Sequence, residues 1–304
     1  MSVVPVAGAH GGDGERLAHV LGVAVGDVLD LSASLNPFAP DVPAMASRHL
    51  DALRRYPQIQ SAESLLAEHI GVAASRIVVT NGGAEAIALV AAEYPRGWAD
   101  EFDFSLYRRH LDVLDAASGL WRSDPHNPTG RLHHATERSF VRDEAFYQLA
   151  TGTWTRGDGD AIAIGSLTKL FACPGLRLGY AIARDEDEAA ALRRRRPEWA
   201  VNALGIALIE DLLERADLAR WRDGIATLRA DLANLLASHD LVCAPSDANY
   251  VWIPDAPGLR NRLAPHAVLV RDGTSFGYPN AARVAVCSVA ELARLAIALE
   301  RSAP

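Results

Sequence analysis

One pattern constrains the fold of this chain more than any other: a short apolar strand, a turn containing glycine and a helix follow one another repeatedly. Residues 77–80 form a β-branched run that leads into Gly82-Gly83-Ala84 and then into the apolar helix predicted over 85–92. The same order recurs over 121–130 and 162–169. Strands that alternate with helices usually pair in parallel, so the pattern predicts an α/β fold with a mainly parallel sheet.

The remainder of the chain predicts a second, smaller domain. A long helix predicted over 218–238 joins it to the first. Beyond that helix, strands are predicted at 241–243, 250–253, 268–270 and 283–287, and a helix at 291–301, which is an α+β arrangement. We therefore expect three segments: an N-terminal arm and small-domain segment over 1–40, the large domain over 41–215, and the C-terminal small domain over 216–304.

Composition and charge narrow the classes of ligand. The 304 residues are 49% hydrophobic and 22% charged, with a net charge of −8 at pH 7. Such a chain is a poor match for a nucleic-acid backbone, so no nucleic-acid partner is expected, and anionic small molecules must be captured by local arginines. Cys173, Cys243 and Cys287 are widely spaced, which indicates neither disulfides nor a metal site. With no apolar run of membrane-spanning length, no membrane association and a cytoplasmic location are expected.

The segment from Gly165 to Tyr180 carries the strongest chemical signal. Lys169 stands among small, apolar and hydroxyl residues at the end of an apolar strand. Burial lowers the pKa of a lysine, and a neutral amine is what Schiff-base chemistry with an aldehyde cofactor requires. Ser166 and Arg177 flank the lysine and suit a phosphate group. The segment therefore predicts a pyridoxal-phosphate site, the alternative being a surface lysine and a solvated arginine.

This sixteen-residue string resembles the cofactor-lysine signature of the fold-type I pyridoxal-phosphate enzymes, the aminotransferase family. The resemblance implies that Lys169 is the catalytic residue bonded to the aldehyde of pyridoxal 5'-phosphate. It also implies that the cofactor is held by Ser166, Thr168, Arg177 and the helix-opening turn Gly82, Gly83 and Ala84. A plain strand-to-helix turn is the alternative interpretation of those three residues.

Further positions match residues of this family that surround the cofactor ring. Residues 125–130 resemble its N-P-x-N-P-T-G loop, which assigns Asn127 to the phenolic oxygen of the cofactor. Asp143 matches the carboxylate that keeps the pyridine nitrogen protonated, and so is the second catalytic residue. A turn asparagine and a solvated acidic pair are the alternatives. Many relatives continue with a tyrosine where this chain has Phe146, and Tyr147 is a candidate substitute.

The remaining assignments concern stacking, assembly and substrate. Phe104 resembles the aromatic residue that stacks on the cofactor ring, and core packing is its alternative role. Tyr56 resembles the tyrosine that crosses a two-fold interface to the neighbouring cofactor phosphate, which implies a homodimer. By the same resemblance, the residues expected to bind substrate are Arg283, Arg271, His10 and Asn36. The alternatives are arginines that cap strands or pair with Asp272, and a histidine in an irregular N-terminal arm.

Two strings narrow the expected activity. His10-Gly11-Gly12 with residues 29–37 resembles the start of threonine-phosphate decarboxylases of cobalamin synthesis, and residues 199–203 resemble their W-x-V-N segment. The resemblance implies an amino acid substrate, and a phosphorylated one is expected because these relatives act on threonine phosphate. An aminotransferase of the histidinol-phosphate type, using glutamate and 2-oxoglutarate, and a non-catalytic relative remain open. The large domain is expected to be shortened between Ile87 and Pro128. The helix that relatives have between the N-P-T-G loop and Asp143 is expected to be missing or reduced to 132–137.

Overall fold

The strands in the described part of the chain form two sheets. The computed structural model describes residues 4–8, 10–157 and 159–302. In chain order the strands are β1 (Leu29–Leu31), β2 (Ile77–Asn81), β3 (Arg96–Ala99), β4 (Val113–Leu114), β5 (Leu120–Ser123), β6 (Val141–Asp143), β7 (Ile162–Ser166), β8 (Leu178–Ile182), β9 (Tyr250–Ile253), β10 (Val268–Asp272) and β11 (Ala282–Ala285).

The α-helices surround these sheets. They are α1 (Gly14–Leu21), α2 (Val42–Ala46), α3 (Ile59–Ile70), α4 (Gly82–Glu93), α5 (Leu106–His110), α6 (Tyr147–Thr151), α7 (Leu167–Leu170), α8 (Glu186–Arg195), α9 (Ala203–Glu214), α10 (Leu218–Ala237), α11 (Leu259–Leu263) and α12 (Val289–Arg301). Short 3₁₀ turns occupy several of the connections, including Leu50–Arg54 and Pro174–Leu176.

Within the described residues, a sheet of seven strands has the order β2-β8-β7-β6-β5-β3-β4. The five strands from β7 to β4 pair in parallel, and only β8 runs antiparallel to both of its neighbours. The prediction of a mainly parallel sheet is therefore confirmed. Because β5, β6 and β7 are parallel neighbours, their last residues Ser123, Asp143 and Ser166 meet at one edge of the sheet.

Helices cover both faces of this sheet. Ile77 and Val79 of β2 pack in one buried cluster with α3 and α9, whereas Val78 packs in another with α4 and α8. Successive strand residues point to opposite faces, so a strand covered on both sides must be apolar throughout. This explains why β7 and β8 are continuously buried from end to end.

The smaller sheet combines both ends of the chain, in the order β1-β10-β11-β9. β1 pairs in parallel with β10, whereas β11 is antiparallel to β10 and β9, so that Arg271 lies opposite Arg283. The predicted strand at 241–243 is wrong: those residues belong to no strand, and only Ala244 forms an isolated bridge, to Trp252. The segment boundaries at 40 and 215 stay a prediction.

The connection between β5 and β6 departs from the sequence pattern. The helix expected within the strand, turn and helix order around 121–130 is wrong, because residues 124–140 form turns and irregular chain. The expected loss of a helix between that loop and Asp143 is confirmed by the same residues. Pro125 and Pro128 lack the N–H groups that a helix needs there. The connection is thus a rigid loop that carries Asn127 to the strand ends. Among the described residues, no helix is both long enough and apolar enough to cross a membrane.

Candidate active site

A cavity of about 340 Å³ lies at the edge of the large sheet where β5, β6 and β7 end. Residues from the N-terminal segment, the large sheet and the small sheet line it together. The predicted residues among its lining are His10, Gly83, Ala84, Phe104, Asn127, Asp143, Ser166, Thr168, Lys169, Arg177, Arg271 and Arg283. Gly82, Asn36 and Tyr56 are not part of the lining, and their positions are described below.

Lys169 reaches the cavity from the short helix α7, which begins directly after β7. Its Nζ donates a hydrogen bond of 3.0 Å to the carbonyl of Ala33. Burial, followed by the nearby positive charges of Arg283, Arg177 and Arg271, lowers the pKa of Lys169 to about 8. The amine is therefore far more often neutral at physiological pH than an exposed lysine would be.

Asn36 donates two hydrogen bonds to α7, the helix that carries Lys169. Its backbone N–H donates to the carbonyl of Lys169 at 3.2 Å, and its side-chain amide donates to the carbonyl of Leu170 at 2.8 Å. Its Oδ1 accepts from the N–H of Phe38. Both polar ends of the side chain are thus engaged within the protein, and the substrate-binding role of Asn36 stays a prediction.

The first turn of α4 forms an anion cradle next to Lys169. Gly82 opens the helix with φ +76°, and a Cβ added there would lie 2.7 Å from Nη2 of Arg177. Gly83, Ala84, Ser166 and Arg177 line the cavity beside this turn. Free N–H groups and the positive end of the helix dipole favour a phosphate at such a position, and the guanidinium adds a formal charge.

Asp143 ends β6 and is almost fully buried. Its Oδ2 accepts a hydrogen bond of 2.9 Å from the hydroxyl of Tyr107, and its Oδ1 accepts one of 3.0 Å from the N–H of Ala145. Burial raises the pKa of Asp143 to about 6, although both hydrogen bonds oppose the rise. The carboxylate is mostly ionised at neutral pH, and a cationic partner would stabilise its buried charge.

A hydrogen bond links Arg283, in β11 of the small sheet, to Asn127, in the loop after β5 of the large sheet. Nη1 of Arg283 donates to Oδ1 of Asn127 at 2.6 Å, and Nη2 donates to the carbonyl of Ser32 at 3.2 Å. Because the amide oxygen of Asn127 is occupied, its NH₂ group is the end available to an acceptor. The Nε of Arg283 is buried and has no hydrogen-bond partner among the described residues.

Arg271 and His10 extend the positive character of the cavity. The side chain of Arg271 donates to Oγ of Ser275 at 2.7 Å and to the carbonyl of Gly8 at 3.3 Å. Burial, then the charge of Arg283, lowers the pKa of Arg271 to about 9. Burial and the charges of Arg271, Arg109 and Lys169 lower the pKa of His10.

Aromatic residues complete the lining. The ring of Phe104 lies edge-on to His10 at 5.5 Å and to Tyr107 at 5.7 Å between centroids. Phe146 also lines the cavity, with Nζ of Lys169 6.0 Å from its ring centroid. Tyr147 does not, so the structure does not place its hydroxyl where the missing tyrosine hydroxyl would lie.

Tyr56 lies on the surface of the chain. It is 70% exposed and stacks on Trp199 with ring centroids 4.6 Å apart. It is not among the described residues that line the cavity of its own chain, as a residue that reaches across an interface would not be. That role stays a prediction.

Tyr107 and Ser123 are cavity residues that sequence reasoning missed. Tyr107 follows Phe104 by three residues, and such spacing places two side chains on one side of a helical turn. That spacing was the available signal for Tyr107. Ser123 gave none, since a serine at the end of a strand is common.

The lining fits pyridoxal phosphate on the structure's own evidence. A glycine turn leaves space where a Cβ would collide, a lysine with lowered pKa lies beside it, and a buried carboxylate faces the same cavity. These groups suit, respectively, the phosphate, the aldehyde and the ring nitrogen of that cofactor. Its volume of about 340 Å³ lies within the range of small-molecule sites.

Comparison with known proteins also indicates an enzyme that uses pyridoxal phosphate. Residues 101–299 match the family "Aminotransferase class I and II". The chain is 30% identical to threonine-phosphate decarboxylase of Salmonella typhimurium, over 96% of this chain and 95% of the relative. It is 26% identical to histidinol-phosphate aminotransferase 1 of Dechloromonas aromatica, over 94% of this chain and 93% of the relative.

The first of these alignments spans 352 residues, more than this chain contains, so the relative has segments that this chain lacks. The expectation of a shortened chain is in agreement with that difference.

Solved structures support the fold. L-threonine-O-3-phosphate decarboxylase from Porphyromonas gingivalis superposes with a TM-score of 0.78 at 20% identity, covering 90% of this chain and 98% of the other. Histidinol-phosphate aminotransferase from Sinorhizobium meliloti, solved in complex with pyridoxal-5'-phosphate, gives 0.79 at 17% identity, covering 95% and 94%. Taken with the cavity, these matches show that the chain belongs to the class I and II aminotransferase family and is a fold-type I enzyme dependent on pyridoxal phosphate.

Proposed function

We propose that the protein decarboxylates an O-phosphorylated amino acid, with threonine phosphate as the first candidate substrate. The observation that carries this proposal is the charge of the cavity lining. Its basic side chains Lys169, Arg177, Arg271 and Arg283 face a single carboxylate, that of Asp143. A chain with a net charge of −8 concentrates positive charge here, which favours ligands with several anionic groups.

The positive groups can be divided among three anions. Arg177 and the first turn of α4 suit the phosphate of the cofactor. Arg271 and Arg283 lie opposite each other on neighbouring strands of the small sheet, away from that turn in the topology. They suit the carboxylate and the phosphate of a substrate, since a guanidinium binds either group in a bidentate pair. His10 lines the same cavity and would assist in binding the substrate phosphate.

The chemistry assigns a role to each of the central residues. Pyridoxal phosphate, when bound, supplies an electron sink for the pair left on the α-carbon when one of its bonds breaks. Asp143 would hold a negative charge for the ring nitrogen of the bound cofactor, and Phe104 would limit the position of its ring. When the bond between the α-carbon and the carboxylate breaks, carbon dioxide leaves and the ammonium of Lys169 donates the proton that the α-carbon receives. Threonine phosphate would give aminopropanol phosphate.

Transamination is the second candidate, because several relatives are histidinol-phosphate aminotransferases. In that reaction the α-proton leaves instead of the carboxylate, and Lys169 moves the proton between carbon atoms. A non-catalytic role has less support, since a binding protein would not need both Lys169 and Asp143 in one cavity.

A paired assay separates the two reactions. The purified enzyme with added cofactor is incubated with threonine phosphate in one experiment, and with histidinol phosphate and 2-oxoglutarate in another. Decarboxylation predicts carbon dioxide and aminopropanol phosphate in the first and no glutamate in the second. Glutamate formation without carbon dioxide release would contradict the proposal and establish the alternative. Unphosphorylated threonine is the control for the distal phosphate, and we expect a much lower kcat/KM with it.

We also propose that the enzyme works in the cytoplasm as a homodimer in which Tyr56 reaches the cofactor phosphate of the partner. The exposure of Tyr56 and of its stacking neighbour Trp199, 55% exposed, supports an interface at this surface.

A further inference from the structure

A buried carboxylate next to the cavity has no role in the chemistry described above. Asp103 precedes the stacking residue Phe104 and is only 2% exposed. Among the described residues, no lysine or arginine forms an ion pair with it. Burial raises the pKa of Asp103, while hydrogen bonds and the nearby His126 oppose that rise. An ionisable group in such a position is costly unless several hydrogen bonds compensate it.

The hydrogen bonds to Asp103 come from residues that border the cofactor site. Its Oδ1 accepts from the N–H of Phe104 at 2.6 Å and from the hydroxyl of Ser123 at 2.5 Å. Its Oδ2 accepts from the N–H of Ser123 at 2.9 Å. One carboxylate therefore ties the loop before α5 to the end of β5.

The hydroxyl of Ser123 connects Asp103 to Asn127. While it donates to Asp103, its oxygen accepts a hydrogen bond of 2.7 Å from the backbone N–H of Asn127. The chain of contacts from Asp103 through Ser123 ends at the residue whose amide is available to the cofactor. A side-chain network of this kind orients the groups that touch the ligand.

The geometry requires a group that only accepts hydrogen bonds. Both oxygens of Asp103 face a backbone N–H, one from Phe104 and one from Ser123. An asparagine amide would turn its own NH₂ toward one of these two donors in either orientation. A carboxylate satisfies both at once.

We propose that Asp103 is a positioning residue of the cofactor site, which holds Asn127 through Ser123 and Phe104 through its backbone N–H. The proposal concerns the cofactor and does not depend on which substrate the enzyme uses. Its charge also raises the pKa values of Asp143 and Tyr107, so its influence extends to the ring-nitrogen end of the cavity.

The test measures cofactor binding to the cofactor-free protein, independently of turnover. Asp103→Asn, Ser123→Ala, their double variant and the control Asp112→Asn are titrated with pyridoxal phosphate. Asp112 is exposed, so the control removes the same charge outside the network. We expect a dissociation constant about tenfold higher for Asp103→Asn, a smaller rise for Ser123→Ala, and no change for Asp112→Asn.

The visible spectrum supplies a readout that a purely structural role would not move. An amide that donates a hydrogen bond to the phenolic oxygen weakens the attraction between that oxygen and the proton on the Lys169 nitrogen bonded to the cofactor. Loosening Asn127 should therefore move the pH midpoint of the bound cofactor's absorbance upward in Asp103→Asn and Ser123→Ala. The double variant should shift no further than Asp103→Asn, because both residues act through one network.

Several outcomes would overturn the proposal. A folded Asp103→Asn protein whose affinity and pH midpoint match those of Asp112→Asn contradicts it, as do effects of the two single variants that multiply in the double variant. If Asp103→Asn does not fold, Ser123→Ala decides: a raised dissociation constant and midpoint support the proposal, and wild-type values refute it.

Discussion

Lys169 illustrates how a tertiary environment gives a side chain its chemistry. Its pKa falls to about 8 because the amine is buried and lies near three arginines, Arg283 first among them. Arg177, Arg271 and Arg283 follow Lys169 along the chain by 8, 102 and 114 positions. The local segment predicted the lysine as the reactive group, while the strength of its activation depends on residues brought from the small sheet.

Replacing this lysine tests its chemical role directly. Lys169→Ala should lose all measurable turnover, because it removes both the amine that bonds the cofactor and the group that returns a proton to the α-carbon. Borohydride should trap a cofactor adduct at position 169 in the wild-type enzyme and none in the variant. The far-UV circular dichroism of the variant should be unchanged. Persistent turnover in Lys169→Ala would contradict the assignment.

Asp143 predicts a pH dependence of stability. Its folded pKa of about 6 lies above the unfolded value of 3.8, so the native state holds the proton more tightly. This contribution to stability is present at low pH and is lost as pH rises from about 4 to about 6. The Asp143→Asn variant lacks this contribution. The free energy of unfolding of the variant minus that of the wild type should therefore rise by about 3 kcal/mol between pH 4 and pH 6.

Urea unfolding of the two cofactor-free proteins between pH 4 and pH 8 measures this difference. Above about pH 7 the difference should be constant. A difference that does not vary with pH would mean that Asp143 is not a buried acid with a raised pKa, and Asp112→Asn provides the exposed control.

At the scale of elements, the cradle predicted to hold the cofactor phosphate depends on the close approach of β8 to the first turn of α4. A Cβ added to Gly179 would lie 2.5 Å from the backbone carbon of Gly82 and 2.5 Å from the nitrogen of Gly83. Neither atom belongs to a flexible side chain, so either the strand or the helix must move. The glycine of β8 thus sets the position of the helix N-terminus.

Gly179→Ala should therefore weaken cofactor binding more than it alters the fold. We expect the dissociation constant for pyridoxal phosphate to rise at least about tenfold, with a loss of about 1–3 kcal/mol in the free energy of unfolding. Gly175→Ala is the matched control in the same segment, since a Cβ there meets nothing within 4 Å. Equal affinities of the two variants would show that the close approach does not define the cradle.

At the scale of the whole molecule, the two sheets contribute different parts of one site. Ser123, Asp143 and Ser166 end parallel strands of the large sheet, whereas Arg271 and Arg283 come from paired strands of the small sheet. The hydrogen bond of 2.6 Å between Arg283 and Asn127 joins the two groups. A cavity built in this way needs both domains in place.

The exposed Tyr56 leads to a prediction about assembly. The enzyme should sediment as a species of twice the 32.6 kDa of one chain. Tyr56→Phe should raise the dissociation constant for pyridoxal phosphate about three- to tenfold without changing that mass, because one hydrogen bond to the cofactor phosphate is lost. Tyr278→Phe, a tyrosine 40% exposed that does not line the cavity, is the control. A monomeric active enzyme would refute the shared site.

By itself, the sequence determined the class of fold and the cofactor. Most of the residues that it predicted for the site line one cavity, and their roles toward the cofactor stay predictions. Apolar strands, glycine turns and the Lys169 segment are local patterns, and the chemistry of each depends on neighbours along the chain. Tertiary structure alone decided which distant groups modify that chemistry: Tyr107 on Asp143, Arg283 on Asn127, and Asp103 on Ser123. It also decided that residues 124–140 form a loop and that 241–243 form no strand. Burial and hydrogen-bond partners depend on the packing of separate segments, and a linear pattern does not contain that information.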